Sequence, residues 1–251
     1  MKHRLFAALF AVAGMLSGAA HAQAPAKIAV SSLIGDTLTV TIYREASGSN
    51  LSNVSNVYKM NGPLLDITAL KTVQQALAKA EPKAEVFPLK VAAAGSPTDP
   101  AATVADDKVV ADNVLVQALR QQGFTHLVTA TKYRHTGLIR LADGPIHTGK
   151  GQMEGLGFYL DPSLQVQGAT NTVRSEGIIA PYIFVQVRLI DLATMEVRTQ
   201  PVIANGVVAA AQNKQGTDAW GALTPDEKFK ASESLIQVHV AKAVLALFAP
   251  K

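Results

Sequence analysis

The chain has 251 residues, 48% of them hydrophobic and 17% charged, and its 23 Lys and Arg against 19 Asp and Glu leave a formal net charge of +4. That composition is globular, neither disordered nor fibrous. The lack of cysteine excludes disulfides, thiolate zinc sites, cysteine nucleophiles and iron–sulfur clusters.

The first element is a leader. Lys2, His3 and Arg4 make a positive start, Leu5 to Leu16 is apolar, and Ser17, Gly18, Ala19 and Ala20 are small. Ala20-His21-Ala22 has the form of a signal-peptidase site, so residues 1–22 are expected to be a signal peptide, cleaved between Ala22 and Gln23. The apolar run of about a dozen residues is shorter than the ~20 that span a bilayer. Losing Lys2 and Arg4 takes the net charge from +4 to +2, which gives no electrostatic reason to bind nucleic acid. The leader carries no cysteine for a lipid, and no later stretch reads as a membrane helix. The mature chain is therefore expected in the periplasm or outside the cell. Residues 23–251 are expected to fold as a single globular domain, long enough to bury roughly 70–75% of its unfolded surface.

Lys27 to Tyr43 is rich in Val, Ile and Thr and predicts a strand interrupted at Gly35-Asp36. Glu45 to Gly62, with four Asn and four Ser, reads as a long polar loop. Asp66 is placed to cap a helix running to about Ala80, with Ile67, Leu70, Val73 and Leu77 on one face and Pro82 as its stop. Glu85 to Val91 predicts a short strand, and Gly95 to Pro100 a loop. A second helix is expected from about Asp106 to Gln122, burying Val110, Val114, Leu115, Ala118 and Leu119, with Gly123 as its left-handed terminator. Phe124 to Tyr133 alternates as a strand.

From Leu138 the pattern changes to successive strands at Leu138–Leu141, Met153–Leu160, Ile178–Leu192 and Glu196–Ala210. Phe184, Gln186 and Arg188 alternate there with Val185, Val187 and Leu189, as in an antiparallel strand buried on one face. Asp191 to Met195 is a hairpin connection. Thr224-Pro225-Asp226-Glu227 combines a capping box with proline at the first helical position. The helix it opens runs to about Phe248, turning Phe229, Ile236, Val240, Ala243, Val244 and Leu247 inward and Lys230, Glu233, Gln237 and Lys242 outward. The fold class expected is α+β, α/β-like in the first half and antiparallel in the second, with a single layer of mixed sheet packed by about three helices.

Four groups of residues are candidates for chemistry. Gly35-Asp36-Thr37-Leu38 resembles the Gly-Asp-Ser-Leu block of the SGNH/GDSL hydrolases, which would make Asp36 and Thr37 catalytic. Thr37 stands where that family has serine, and the β-branched residues after it favour a strand over the turn into a helix such a nucleophile needs. His135 and His147, in repeated His-Thr-Gly triplets, could offer imidazoles to a metal, although no further ligands at metal-binding spacing accompany them. Lys132, Arg134, His135 and Tyr159, with Tyr133 and Arg140 nearby, could bind an anionic ligand, against the plainer reading of a solvated strand end. Gly149 to Gly157 is glycine-rich but leads into a strand, which suits a hairpin connection better than a phosphate cradle.

Gly123-Phe-Thr-His-Leu-Val-Thr-Ala130 and Val187-Arg-Leu-Ile-Asp-Leu-Ala-Thr-Met-Glu-Val197 resemble a strand and a hairpin of the TolB amino-terminal-domain-like group, which includes the curli-secretion lipoprotein. His126 replaces the usual Asp of the strand, and Met195 the usual glycine of the hairpin. The resemblance covers about half the chain and concerns fold alone. No cofactor is expected. The leading expectation is an exported, non-enzymatic binding or assembly module whose partner is another envelope protein or a small anionic ligand. The alternative is a hydrolase built on Asp36 and Thr37.

Overall fold

The β-branched run near the mature start does form strands, β1 (Lys27–Leu33) and β2 (Thr37–Ile42), parted where Gly35 was expected to interrupt them. They belong to a computed structural model that describes residues 25–35, 37–44, 53–89, 100–137, 139–140, 146–147, 152–167, 174–206, 209–210 and 219–249. Next come β3 (Val54–Lys59), α1 (Leu64–Ala80) and β4 (Glu85–Pro88). After these lie a small hairpin of β5 (Val104–Ala105) and β6 (Lys108–Val109), then α2 (Val114–Gln121) and β7 (His126–Lys132). Three short strands follow, β8 (Arg134–Thr136), β9 (Ile139–Arg140) and β10 (Ile146–His147). The long strands β11 (Gln152–Gln167) and β12 (Arg174–Asp191) lead to β13 (Val197–Asn205) and β14 (Ala209–Ala210). The last element, α3, is Pro225–Phe248.

The main sheet has ten strands in the order β3-β2-β11-β12-β7-β1-β4, with β13 and β14 added on β12 and β8 on β11. β12 is its spine. Along one edge its first part, Ile178 to Phe184, pairs antiparallel with β11, and its second part, Val185 to Asp191, pairs antiparallel with β7. Its other edge takes β13. The sheet thus has two halves on one spine, and β1–β2 is a single stretch of chain that crosses from one half to the other. In the first half β1 pairs parallel with β4 and β7, the α/β pattern expected. In the second, β11, β12 and β13 are antiparallel as expected, while β2 joins β11 in parallel. The protein is of the α+β class, a mixed sheet packed by helices.

One face of the sheet is covered by α1 and α3. Ile28, Val30, Val128, Val185 and Val187 meet Leu65, Val73 and Leu77 of α1 and Ile236, Val240 and Val244 of α3 in one cluster. α3 follows the sequence closely. Thr224 and Glu227 make the reciprocal capping box, and the inward residues from Ile236 to Leu247 are buried. Its middle, Ile236–Val240, is a π-turn. At 24 residues, with a mean hydropathy of 1.3 in its most apolar stretch, α3 is long and apolar enough to cross a membrane, which corrects the expectation that no later stretch would be. Here the apolar stripe docks on the domain's own sheet. The opposite face of the sheet carries Ala29, Leu127 and Ile190 under Val116 and Leu119 of α2, and farther along a cluster of Met153, Tyr159, Tyr182 and Phe184.

Three local expectations are overturned. Val54–Lys59 is strand within the segment read as loop, because pairing with β2 along its whole length outweighs the weak strand preference of Ser55 and Asn56. α2 starts at Val114 rather than near Asp106. Asp106 and Asp107 have φ of 47° and 56° and make the β5–β6 turn, and Asn113 caps the helix by accepting from Leu115 N at 3.0 Å and Val116 N at 3.3 Å. Its buried residues are then Val116 and Leu119, while Val114 is 54% exposed. Gly123 does follow the helix with φ of 75°.

Asp66 is the third. α1 begins two residues earlier, and Asp66 turns away from its own helix to the β1–β2 crossing. There one carboxylate oxygen accepts from Ser32 Oγ at 2.7 Å, Ile34 N at 2.9 Å and Gly35 N at 3.1 Å.

Candidate functional site

The crossing from β1 to β2 holds the segment compared with a hydrolase motif. At the jog Ile34 N and Gly35 N leave the ladder, and Asp66 supplies the acceptor they would otherwise lack. Gly35 packs directly on α1, since a Cβ there would lie 2.5 Å from Asp66 N and 2.7 Å from Leu65 Cβ. Thr37 is the first residue of β2, opposite Lys59 of β3. Its hydroxyl accepts from Lys132 Nζ at 2.6 Å, with the lysine stem lying over Gly155. Two candidates from different groups, Thr37 and Lys132, are therefore brought together at the seam between the half-sheets. Thr37 stands on a strand, and the turn into a helix that activates a nucleophile in such hydrolases is not its setting. Asp36 lies outside the described residues.

The other candidates do not share one place. Arg134 and His135 are consecutive on β8 and project to opposite faces. His135 Nδ1 faces Thr136 O at 2.9 Å, and its ring lies 5.9 Å from that of Tyr133 and 6.4 Å from that of Phe184. Tyr159 is buried in the aromatic cluster, where desolvation and the nearby Asp161 carboxylate drive its phenol far above the ordinary tyrosine range. His147 pairs with Ile139 in the β9–β10 ladder. Among the described residues no group of three or more His, Asp or Glu is arranged to hold a metal ion.

A groove of about 350 Å³ lies at the end of β7, lined by His126, Leu189, Asp191, Glu196, Arg198 and Phe248. His126 Nε2 stands 3.9 Å from Asp191 Oδ2, and His126 Nδ1 faces Thr125 Oγ1 at 2.9 Å. The trio has the residue types of a hydrolytic triad, but Thr125 is tied to β1. Its hydroxyl donates to Lys27 O and accepts from Lys27 N, both at 3.1 Å. Burial lowers the His126 imidazole, a pull that Asp191 opposes without reversing. Burial pushes the Asp191 carboxyl up, yet the Thr194 and Ala193 N–H groups and His126 together hold it below its ordinary value. Those two N–H bonds, 2.9 and 2.8 Å, fix the hairpin in which Met195 takes φ of 61°. The resemblance noted above has glycine there, the residue for which that conformation carries no strain.

A third place escaped the sequence reading. β3 closes the sheet at one end, and β2 is its only ladder partner among the described residues. Five of its six residues are exposed, with Val57 at 65% and Tyr58 at 53%. Beside it a groove of about 300 Å³ is lined by Val40, Ile42, Asn56, Tyr58, Leu160, Pro162, Ala219 and Trp220. Tyr58 and Trp220 are stacked, with ring centroids 6.5 Å apart and planes 13° from parallel. Phe158 meets Trp220 edge to face at 5.6 Å, and Lys228 Nζ lies 3.8 Å from the Trp220 ring centroid. The signal available beforehand was Trp220, the chain's single tryptophan, next to the start of α3.

No family model matches the chain, and no curated protein does. Among solved structures it is similar to a PelC variant from Paraburkholderia phytofirmans, solved as a dodecamer. The identity is 12%, over 90% of each chain, with a TM-score of 0.33. It is similar to protein XCC0632 from Xanthomonas campestris at 11% identity, over 89% of this chain and 83% of that one, with a TM-score of 0.35. It is also similar to a neuraminyllactose-binding hemagglutinin homolog from Helicobacter pylori at 6% identity, over 90% of this chain and 82% of that one, with a TM-score of 0.36. These are distant likenesses, and none of the three bears the TolB or curli name.

Proposed function

We propose that the chain is an exported envelope protein that works by binding a protein partner, which it takes as an added strand along the outer edge of β3. The observation that carries this is β3 itself, an outermost strand with Val57 and Tyr58 exposed, no proline, and Lys59 as its one charge. Such edges are ordinarily blunted by charge, proline or cover, because their open N–H and C=O groups template pairing. An added strand satisfies those groups, and its alternate side chains reach the groove of Tyr58 and Trp220, so the ladder supplies affinity and the groove supplies selection. Export rests on the leader and its Ala20-His21-Ala22 site. Binding is preferred to hydrolysis because Thr37 is a strand residue and does not stand at the turn into a helix that such hydrolases use for their nucleophile.

The absence of cysteine makes the test direct. A single cysteine at Val57→Cys carries a photoactivated crosslinker in cells that make the protein, with Val114→Cys, also more than half exposed on α2, as the control. One discrete protein adduct at position 57 and none at 114 is expected. Equal, diffuse labelling at both positions would overturn the reading, as would ester turnover by the wild type that is lost in Thr37→Ala.

A further inference from the structure

Across the α2 side of the sheet runs a row of polar side chains where an apolar row would be expected. Ser31 of β1 sits beside Thr129 of β7, Thr129 beside Arg188 of β12, and Arg188 beside Thr199 of β13. The flanking row, Ala29, Leu127 and Ile190, is apolar and sealed by α2, which fixes the face to which the polar row points. Ser31 is 0% exposed and Thr129 is 1% exposed. Among the described residues, Ser31 Oγ, Thr129 Oγ1 and Arg188 Nε are all buried without a hydrogen-bond partner. Three orphans in one row are unusual, because buried polar groups are almost always paired and each unpaired one costs about 1–3 kcal/mol. Directly opposite side chains on neighbouring strands have Cβ atoms about 4.5–5.5 Å apart, so one small ligand can meet two of these groups at once.

The row supplies two hydroxyl groups and a guanidinium, all able to donate. Arg188 makes no ion pair among the described residues. Burial opposes its charge, and Asp107, on the β5–β6 turn above the sheet, favours it. At the outer end of the row, where Arg188 pairs with Thr199, a cavity of about 370 Å³ is lined by Asp107, Tyr133, Gln186, Val197, Thr199 and Pro201. We propose that Ser31, Thr129 and Arg188 form a binding site for a small oxyanion, a carboxylate or a tetrahedral phosphate or sulfate. Its oxygens accept from the guanidinium fork and from the two hydroxyls, the pairing arginine makes best. This site lies away from β3 and does not depend on the partner reading given above.

The Nε–H of Arg188 has its own signal in a nitrogen–proton correlation spectrum, assigned by its loss in Arg188→Lys. Acetate, sulfate and inorganic phosphate are titrated separately into the mature protein. Saturable movement of that signal is expected, with acetate alone marking a carboxylate site and phosphate or sulfate alone a tetrahedral one. Arg188→Lys should weaken binding roughly tenfold or more, and Ser31→Ala or Thr129→Val about fivefold each, the worth of a charged and of an ordinary hydrogen bond. Asp107→Asn should tighten it by removing a competing negative charge, while the asparagine still tolerates the left-handed turn. The two hydroxyl variants remove orphaned groups and keep their fold, so they decide the matter even if Arg188→Lys does not fold. The proposal is overturned if no anion gives a saturable shift, meaning that the row holds water only. It is overturned equally if both hydroxyl variants bind as the wild type does.

Discussion

Asp66 shows at the scale of one residue how a local signal acquires a distant role. An acidic residue opening an apolar periodic run is read as a cap, since caps are local and its partners are not. In the fold its carboxylate takes three donors from the β1–β2 crossing, 31 to 34 residues away in sequence. Asp66→Ala strands Ile34 N, Gly35 N and Ser32 Oγ together, and unfolding in urea should show a loss of about 3 kcal/mol or more. Asp66→Asn keeps one acceptor oxygen and should lose less. If Asp66→Ala melted like the wild type, the crossing would have another acceptor and Asp66 would not be what holds it. Arg188 teaches the complementary lesson. Alternation along β12 marks it as facing away from the Val187 side, which is correct, but alternation says nothing of what lies over that second face. Only the fold shows that the Nε of its half-buried guanidinium is taken out of water, near Asp107 of the β5–β6 turn.

At the scale of elements, what was legible is what is decided locally. α3 announces itself because its capping box and its stripe are both written within 25 residues of sequence, and sheet packing agrees with them. Val240 lies at 0% exposure in the centre of the contact with α1. Val240→Asp places an unpaired carboxylate there and should lower stability by several kcal/mol, measured as a fall in the urea midpoint. Gln237→Asp, on the exposed side of the same helix, should stay within about 0.5 kcal/mol of the wild type. An unchanged midpoint in Val240→Asp would mean that the stripe does not dock at home. α2 and β3 were misread for the opposite reason. The start of α2 gives way to a hairpin turn at Asp106 and Asp107, and β3, with two polar residues among its first three, becomes a strand only because β2 pairs with it.

For the whole molecule, the strand order was not legible, because it depends on which distant strands share an edge of β12. A strand of 18 residues is unusually long, and its length is what lets two halves of different character share one sheet. The parallel half, with α1 and α2 as crossovers, and the second half, with β2 parallel on β11 and the rest antiparallel, share β12. They also meet at the β1–β2 crossing, at the Lys132–Thr37 hydrogen bond and in the core cluster that holds Leu156 of β11 with Val128 of β7. That arrangement bears on the expectation of one domain, which we retain as a proposal. If the halves are one cooperative unit, no part of β12 can leave its ladder without disturbing the rest. Trp220, the only tryptophan, packs on Phe158 and so reports on the half formed by β2, β3 and β11. α1 and α3 lie mainly over the other half, and far-ultraviolet circular dichroism reads their helicity. Urea transitions followed by Trp220 fluorescence and by helical dichroism should therefore coincide in midpoint and slope. A fluorescence transition that finished well before the helical signal changed would divide the chain at the seam, with β2, β3 and β11 as a separately unfolding unit. The exposed edge of β3 would then belong to the less stable half, the part best able to rearrange around an added strand.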